Sequence, residues 1–275
     1  DPRLVKRAIE HIDRARLVKL VVDLVNVPSP TGFEGDMARA LHTVLKDSGL
    51  RATLQPIGDD RYNAIGLWEG AGGGKTLMFN GHLDTSFGPE QAHRGLGYRC
   101  EGTVIDDEWI YGMGTFNMKS ALATYTVACE AIRAAGIGIA GNVVIAGVAG
   151  EIEKAPVNQF EGRMYQGYGP GTKYAITHGA VADYCILGEP TNMMLIPRHC
   201  GTTWFKITVP GTLIHTAWSN YERNAVSSAA LVLDALNAWI PGYMERNQFG
   251  GTRPKVNIAA IEGGQARAGL LDSYE

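Results

Sequence analysis

Apolar positions recur at helical spacing from Leu4 to Val25, and the run Val27-Pro28-Ser29-Pro30-Thr31-Gly32 ends the pattern. The spacing predicts one helix over Leu4–Val25 and a second from about Glu34 to Ser48, stopped by Gly49. Short strands are expected at Ala52–Pro56 and Asn63–Leu67. A turn at Ala71-Gly72-Gly73-Gly74 leads into an apolar strand at Thr76–Phe79, and Trp109–Tyr111 ends a further extended segment. Met118–Ala135 reads as a helix closed by Gly136, while Val143–Val148 and Ala182–Leu187 read as buried strands. Strands alternating with helices predict an α/β catalytic domain with a mostly parallel mixed sheet flanked by helices.

The texture changes near Thr202. Trp204, Ile207 and Val209 lie in a β-type segment, Ala225–Ile240 is a strong helix, and Lys255–Ile261 is one more strand closed by Gly263-Gly264. This is a small α+β unit with too few strands to bury both faces of its helix. The expected organisation is a domain over residues 1–200 and a second, unfinished one over 201–275.

Bulk properties narrow the function classes. The 275 residues are 45% hydrophobic and 19% charged, with a formal net charge of −3, which is ordinary globular composition. Such a balance offers no electrostatic footprint for nucleic acid. The apolar run Val143–Ala149 is too short to span a bilayer, and no leader pattern precedes Asp1, so no membrane partner is expected. Cys100, Cys129, Cys185 and Cys200 form no CxxC pair, which favours free thiols and a cytoplasmic protein.

Four short stretches carry candidate chemistry. Phe79-Asn80-Gly81-His82-Leu83-Asp84-Thr85 follows a strand directly, and in open α/β sheets ligands sit at the carboxyl ends of strands. There His82 could offer one ring nitrogen to a metal while the Asp84 carboxylate fixes the tautomer through the other. A surface turn with a capping Asp would look the same. In Tyr111-Gly112-Met113-Gly114-Thr115-Phe116-Asn117-Met118-Lys119 a Gly-rich turn enters a helix, and Asn117 is either a plain N-cap or a ligand. Ala149-Gly150-Glu151-Ile152-Glu153 places Glu151 after a buried strand, as a general base or a solvated loop carboxylate. Leu187-Gly188-Glu189-Pro190-Thr191 repeats that geometry for Glu189, where Gly and Pro could equally build a simple turn.

In this order the four stretches resemble the M20 metallopeptidase and aminoacylase family. Gly211-Thr212-Leu213-Ile214-His215-Thr216-Ala217, followed by Asn224-Ala225-Val226, is similar to that family's lid motif, and Ile261-Glu262-Gly263-Gly264 to its third lid strand. The resemblance implies that the second unit is an inserted α+β lid and dimerisation domain. It implies metal ligation by His82 and Glu189, with Glu151 as the catalytic glutamate. It also implies that His215 crosses a dimer interface to donate a hydrogen bond to the developing oxyanion, in a homodimer or higher homo-oligomer.

The departures from the family pattern matter as much. The family carries Asp where Asn117 stands, and that Asp bridges two metals; an amide oxygen is a poor bridge between dications. The family's second Glu after the base is Ile152 here, which cannot ligate, and Glu153 could replace it only with a local backbone shift. The family's late His ligand is absent, so the closing part of the catalytic domain is expected to be missing. One divalent transition metal per subunit is therefore expected, with Zn, Mn or Co equally suited to His and carboxylate ligands.

These readings point to a metal-dependent hydrolase cleaving a C–N bond of a small carboxylate-bearing substrate. The bond is either an amide or the amine of an electron-poor aromatic, exchanged for hydroxide. A non-catalytic binding protein of the same family is the alternative from another class, and retention of Glu151 argues against it. Gly72-Gly73-Gly74-Lys75-Thr76 lacks the leading glycine of a phosphate loop, His199 and Cys200 are adjacent and so face apart, and His93 and His178 have no motif around them.

Overall fold

The computed structural model describes residues 1–89, 99–153, 167, 169–196, 200–212, 214–218 and 224–264. His93, His199 and Leu213 of the stretches above lie outside them. The chain divides into two compact units, Asp1–Ile196 and Pro197–Glu275.

In the first unit the expected N-terminal helix is two, α1 (Pro2–Ile9) and α2 (Arg14–Val25). Asp13 explains the break, because its side chain accepts the Arg16 N–H and starts a new helix. Helix α3 spans Gly35–Asp47 and packs on a five-stranded sheet. Its strands are β1 (Arg51–Gly58), β2 (Arg61–Trp68), β3 (Leu77–His82), β6 (Val143–Val148) and β7 (Tyr184–Leu187), in the order β1-β2-β6-β3-β7. β3 pairs in parallel with both β6 and β7, whereas β1–β2 and β2–β6 are antiparallel. A separate hairpin joins β4 (Thr103–Ile105) to β5 (Trp109–Tyr111). Its turn residues Asp106 and Asp107 both have positive φ, as tight hairpin turns require.

The inner strands β2, β6 and β3 are covered on both faces, whereas β7, expected as a buried strand over Ala182–Leu187, forms over Tyr184–Leu187 and is exposed along its length because it lies at the end of the strand order. Along β6 the side chains alternate: Ile145 joins Leu20, Leu24, Met37, Leu41, Leu45 and Leu122 on one face, while Val144, Ala146 and Val148 join Ile65, Met78 and Ala175 on the other. The first face is roofed by α2, α3 and α4 (Ser120–Ala134), and the second by α5 (Pro170–Thr177). Gly81 lets α4 approach β3 closely, since a Cβ there would lie 2.9 Å from both Leu122 and Met118 side chains. This two-sided burial explains the long apolar reading of β6.

In the second unit α6 (Ala225–Arg246) is capped by Asn224, whose side chain accepts the Ser227 N–H at 3.0 Å. It continues past Ile240 and through Pro241, which removes one ladder hydrogen bond without ending the helix. The strands expected at Trp204–Val209 and Lys255–Ile261 do not form: neither segment enters a ladder among the described residues, and an extended segment without a pairing partner is not a strand. Among the described residues α6 also has the length and composition of a membrane-crossing helix, a property that counting uninterrupted apolar runs passed over.

Candidate functional site

Three parallel strands deliver the three principal side chains to one end of the sheet. His82 is the last residue of β3 and lies in register with Val148 on β6. Glu151 follows β6 by three residues, and Glu189 follows β7 by two. One ligand atom from each of His82, Glu151 and Glu189 can be chosen so that all three lie within 4.8 Å of one another. His82 Nε2 is 3.5 Å from Glu189 Oε1 and 3.8 Å from Glu151 Oε2. The imidazole is buried, at 1% exposure, whereas the Glu189 and Glu151 side chains are 30% and 51% exposed. A buried nitrogen thus backs two partly exposed carboxylates.

The imidazole's orientation is set by the main chain. His82 Nδ1 lies 2.9 Å from the Asp84 carbonyl oxygen, so Nδ1 carries the proton and donates it there. The Asp84 carboxylate, expected to perform this task, is 3.7 Å from Nδ1. It accepts four other hydrogen bonds instead: from Thr31 Oγ1 at 3.1 Å, from the Gly150 and Glu151 N–H groups at 3.1 Å each, and from the Ile152 N–H at 2.7 Å.

Asn117 is brought to the same place from the other side. It sits in a tight π-type turn, Thr115–Lys119, and its Oδ1 is 2.7 Å from His82 Nε2. It does not cap α4, for which no side-chain cap bond forms. The atoms around Nε2 are the oxygens of Asn117, Glu189 and Glu151, and in the neutral tautomer with the proton on Nδ1 the Nε2 lone pair is the one available to a metal. One imidazole nitrogen and two carboxylates converge, and the Asn117 amide oxygen lies beside the nitrogen. That set fits a divalent transition metal. Among the described residues a buried Glu153 carboxylate oxygen has no hydrogen-bond partner, and Glu153 does not belong to the converging set.

Electrostatics sharpen the role of Glu151. Burial pushes its carboxyl above the ordinary carboxylate range, and the neighbouring Glu189, Asp84 and Glu153 charges push the same way, against the pull of His82.

Sequence reasoning missed the supports behind these residues. Lys119, two positions beyond Asn117, is buried, and its Nζ donates to the carbonyls of Leu24 at 3.0 Å and Val27 at 2.6 Å. This ties the Asn117 turn to the end of α2, and burial pulls the ammonium down to about 7. Glu34 and Arg61 form a buried two-pronged ion pair with both contacts at 2.7 Å, and Glu34 also accepts the Gly32 N–H. A charged residue opening an otherwise apolar helix was the available signal for Lys119; the Glu34–Arg61 pairing left none, because the partners lie on different elements.

His215 belongs to the second unit. There it is exposed, its Nδ1 accepts the Ala217 N–H at 3.1 Å, and its ring packs at a tilt 5.5 Å from that of Trp218.

Residues 78–245 match the family model described as Peptidase family M20/M25/M40. The chain is 28% identical over 235 residues to succinyl-diaminopimelate desuccinylase of Pseudomonas fluorescens (strain Pf0-1), covering 83% of this chain and 58% of that relative. It is 29% identical over 255 residues to the enzyme of the same name from Cupriavidus taiwanensis, covering 85% and 63%. The chain thus spans about three fifths of the length of these curated relatives. Among solved structures it is similar to human carnosine dipeptidase 1, with a TM-score of 0.51 at 18% identity over 66% of this chain and 40% of that one. That likeness concerns the fold. The family match extends from β3, which carries His82, through Glu151 and Glu189 and into α6, over more than half of the chain, and this chain belongs to peptidase family M20/M25/M40.

Proposed function

We propose that this chain carries the metal-binding and proton-transferring part of a hydrolase that cleaves the amide C–N bond of a small, carboxylate-bearing substrate. The observation that carries the reading is the convergence of His82 Nε2 with the Glu151 and Glu189 carboxylates at the ends of three parallel strands. The names of the curated relatives, desuccinylases, support an amide over an aromatic amine. In this reading residues 1–200 are the catalytic domain and residues 201–275 belong to a lid and dimerisation domain.

His82 and Glu189 would hold one divalent ion, Zn, Mn or Co, to which Asn117 would lend its amide oxygen. When bound, such an ion supplies Lewis-acid polarisation of the substrate carbonyl and eases deprotonation of water. Glu151 takes the proton of the attacking water on its carboxylate and returns it to the leaving nitrogen. Its raised proton affinity suits both halves of that task, because a base must also become an acid within one turnover. Asp84 is a positioning residue. His215, supplied by the second subunit of a cytoplasmic homodimer or larger homo-oligomer, donates a hydrogen bond to the developing oxyanion.

Turnover of the metal-loaded protein against N-acyl amino acids and amino-nitrobenzoates tests the reading. Release of amino acid from the acyl substrates is expected. Activity confined to the aromatic amines, or no turnover of either set, would overturn it.

A further inference from the structure

We infer that the Asp84 carboxylate is the anchor of the Glu151 loop, and that the imidazole of His82 is positioned without it. The inference rests on the proposed role of Glu151 as base, and it begins from a count of acceptor sites. A carboxylate offers about four lone-pair positions. Here Oδ1 accepts the Gly150 and Glu151 N–H groups, and Oδ2 accepts the Ile152 N–H and the Thr31 hydroxyl. All four are taken, which leaves none for His82 Nδ1 at 3.7 Å. The imidazole takes the carbonyl oxygen of the same residue, at 2.9 Å.

The loop is shaped for this anion. Gly150 has φ +78°, a left-handed conformation that turns three successive N–H groups toward one point, an arrangement of main-chain donors that cups negative charge. A side chain at Gly150 would be strained by that φ and would meet Arg61 and Pro170 atoms at 2.8 Å. The Asp84 side chain is wholly buried, so its charge is stabilised by these four donors in place of water. One residue therefore performs two separable tasks. Its backbone orients the imidazole, and its side chain fixes where the Glu151 carboxylate emerges, roughly 3–4 Å from the nitrogen it faces.

Asp84→Asn separates them. An amide keeps the main-chain carbonyl but has one acceptor oxygen, so buried N–H groups of the loop lose partners. Three quantities are read: metal Kd by chelator competition, amide hydrogen exchange at Gly150, Glu151 and Ile152, and kcat at saturating metal. The expected result is a metal Kd within about threefold of the parent, exchange at the three amides faster by at least about tenfold, and kcat lower by about 10²-fold, the cost of a misplacement near 1 Å. A metal Kd weakened by about 10–100-fold with unchanged exchange, the pattern of a lost imidazole-orienting partner, would overturn the inference.

If the variant does not fold, the unaltered protein still decides. Protection of the three loop amides comparable to that of the β6 amides is expected, and exchange at the rate of open peptide would overturn the anchor. Exchange and metal affinity do not depend on the substrate. Failure of the amide-hydrolysis reading would therefore appear as absent turnover with these two results intact.

Discussion

Asn117 Oδ1 lies 2.7 Å from His82 Nε2, so an amide stands against the buried imidazole where the family pattern carries a carboxylate. An amide has one oxygen to offer and no charge, and the position after Glu151 is Ile152. One ion per chain is the expected stoichiometry. Elemental analysis after dialysis against excess Zn or Mn checks it, and two tightly held ions per chain would contradict it.

Glu151 and Glu153 make a matched pair for testing the base. Glu151→Gln should lower kcat by roughly 10²–10⁴-fold with fold and metal content preserved. Glu153→Gln should do much less, since Glu153 lies outside the converging set. Equal losses in the two variants would remove the distinction.

His215→Ala should lower kcat while leaving metal content intact. Mixing it with Glu151→Gln tests whether sites are shared between subunits, because some mixed dimers then contain one site with both residues. Partial return of activity is expected. None, with subunit exchange demonstrated independently, would place His215 outside its neighbour's site.

The Glu34–Arg61 pair predicts a stability effect away from the chemistry. The two side chains are 0% and 10% exposed, and burial raises the Glu34 carboxyl despite its Arg61 partner. Arg61→Met strands a buried carboxylate and should lower unfolding free energy by about 3–5 kcal/mol in urea denaturation. Replacing both residues by apolar ones should cost less than the single change.

Cys129 is buried in α4, and burial raises its thiol to about 11. At pH 8 its thiolate fraction should be about a hundredfold below that of an ordinary cysteine. A disulfide reagent should therefore modify exposed Cys200 first and Cys129 only on unfolding. The folded chain keeps a proton that the unfolded chain loses above about pH 9, so this thiol's contribution to stability falls as pH rises toward about 11.

Much of this was legible in the sequence. Val143–Val148 stands as a strand with the expected bounds, because an apolar run reports burial directly, whereas the extended segment expected to end at Trp109–Tyr111 is a short, largely exposed hairpin strand after a turn. His82, Asn117, Glu151 and Glu189 were each ambiguous alone, and the folded sheet brings them together. The imidazole's partner was misread because His-x-Asp names a residue, not which of its oxygens is used. The break between α1 and α2 was hidden by helical periodicity running across Asp13. The strands expected after Thr202 were read from β-branched and aromatic content, which cannot supply a pairing partner.

Among the described residues β7 is an edge strand of its sheet, joined to β3 by four register pairs, and Glu189 follows its end. A cation shared by His82 and Glu189 would clasp this strand to its neighbour at the end that the ladder leaves open. Occupancy of the site and attachment of the sheet's edge would then be one equilibrium. Saturating metal should slow the exchange of β7 amides and raise Tm with ion concentration, as for any ligand that binds the folded chain alone.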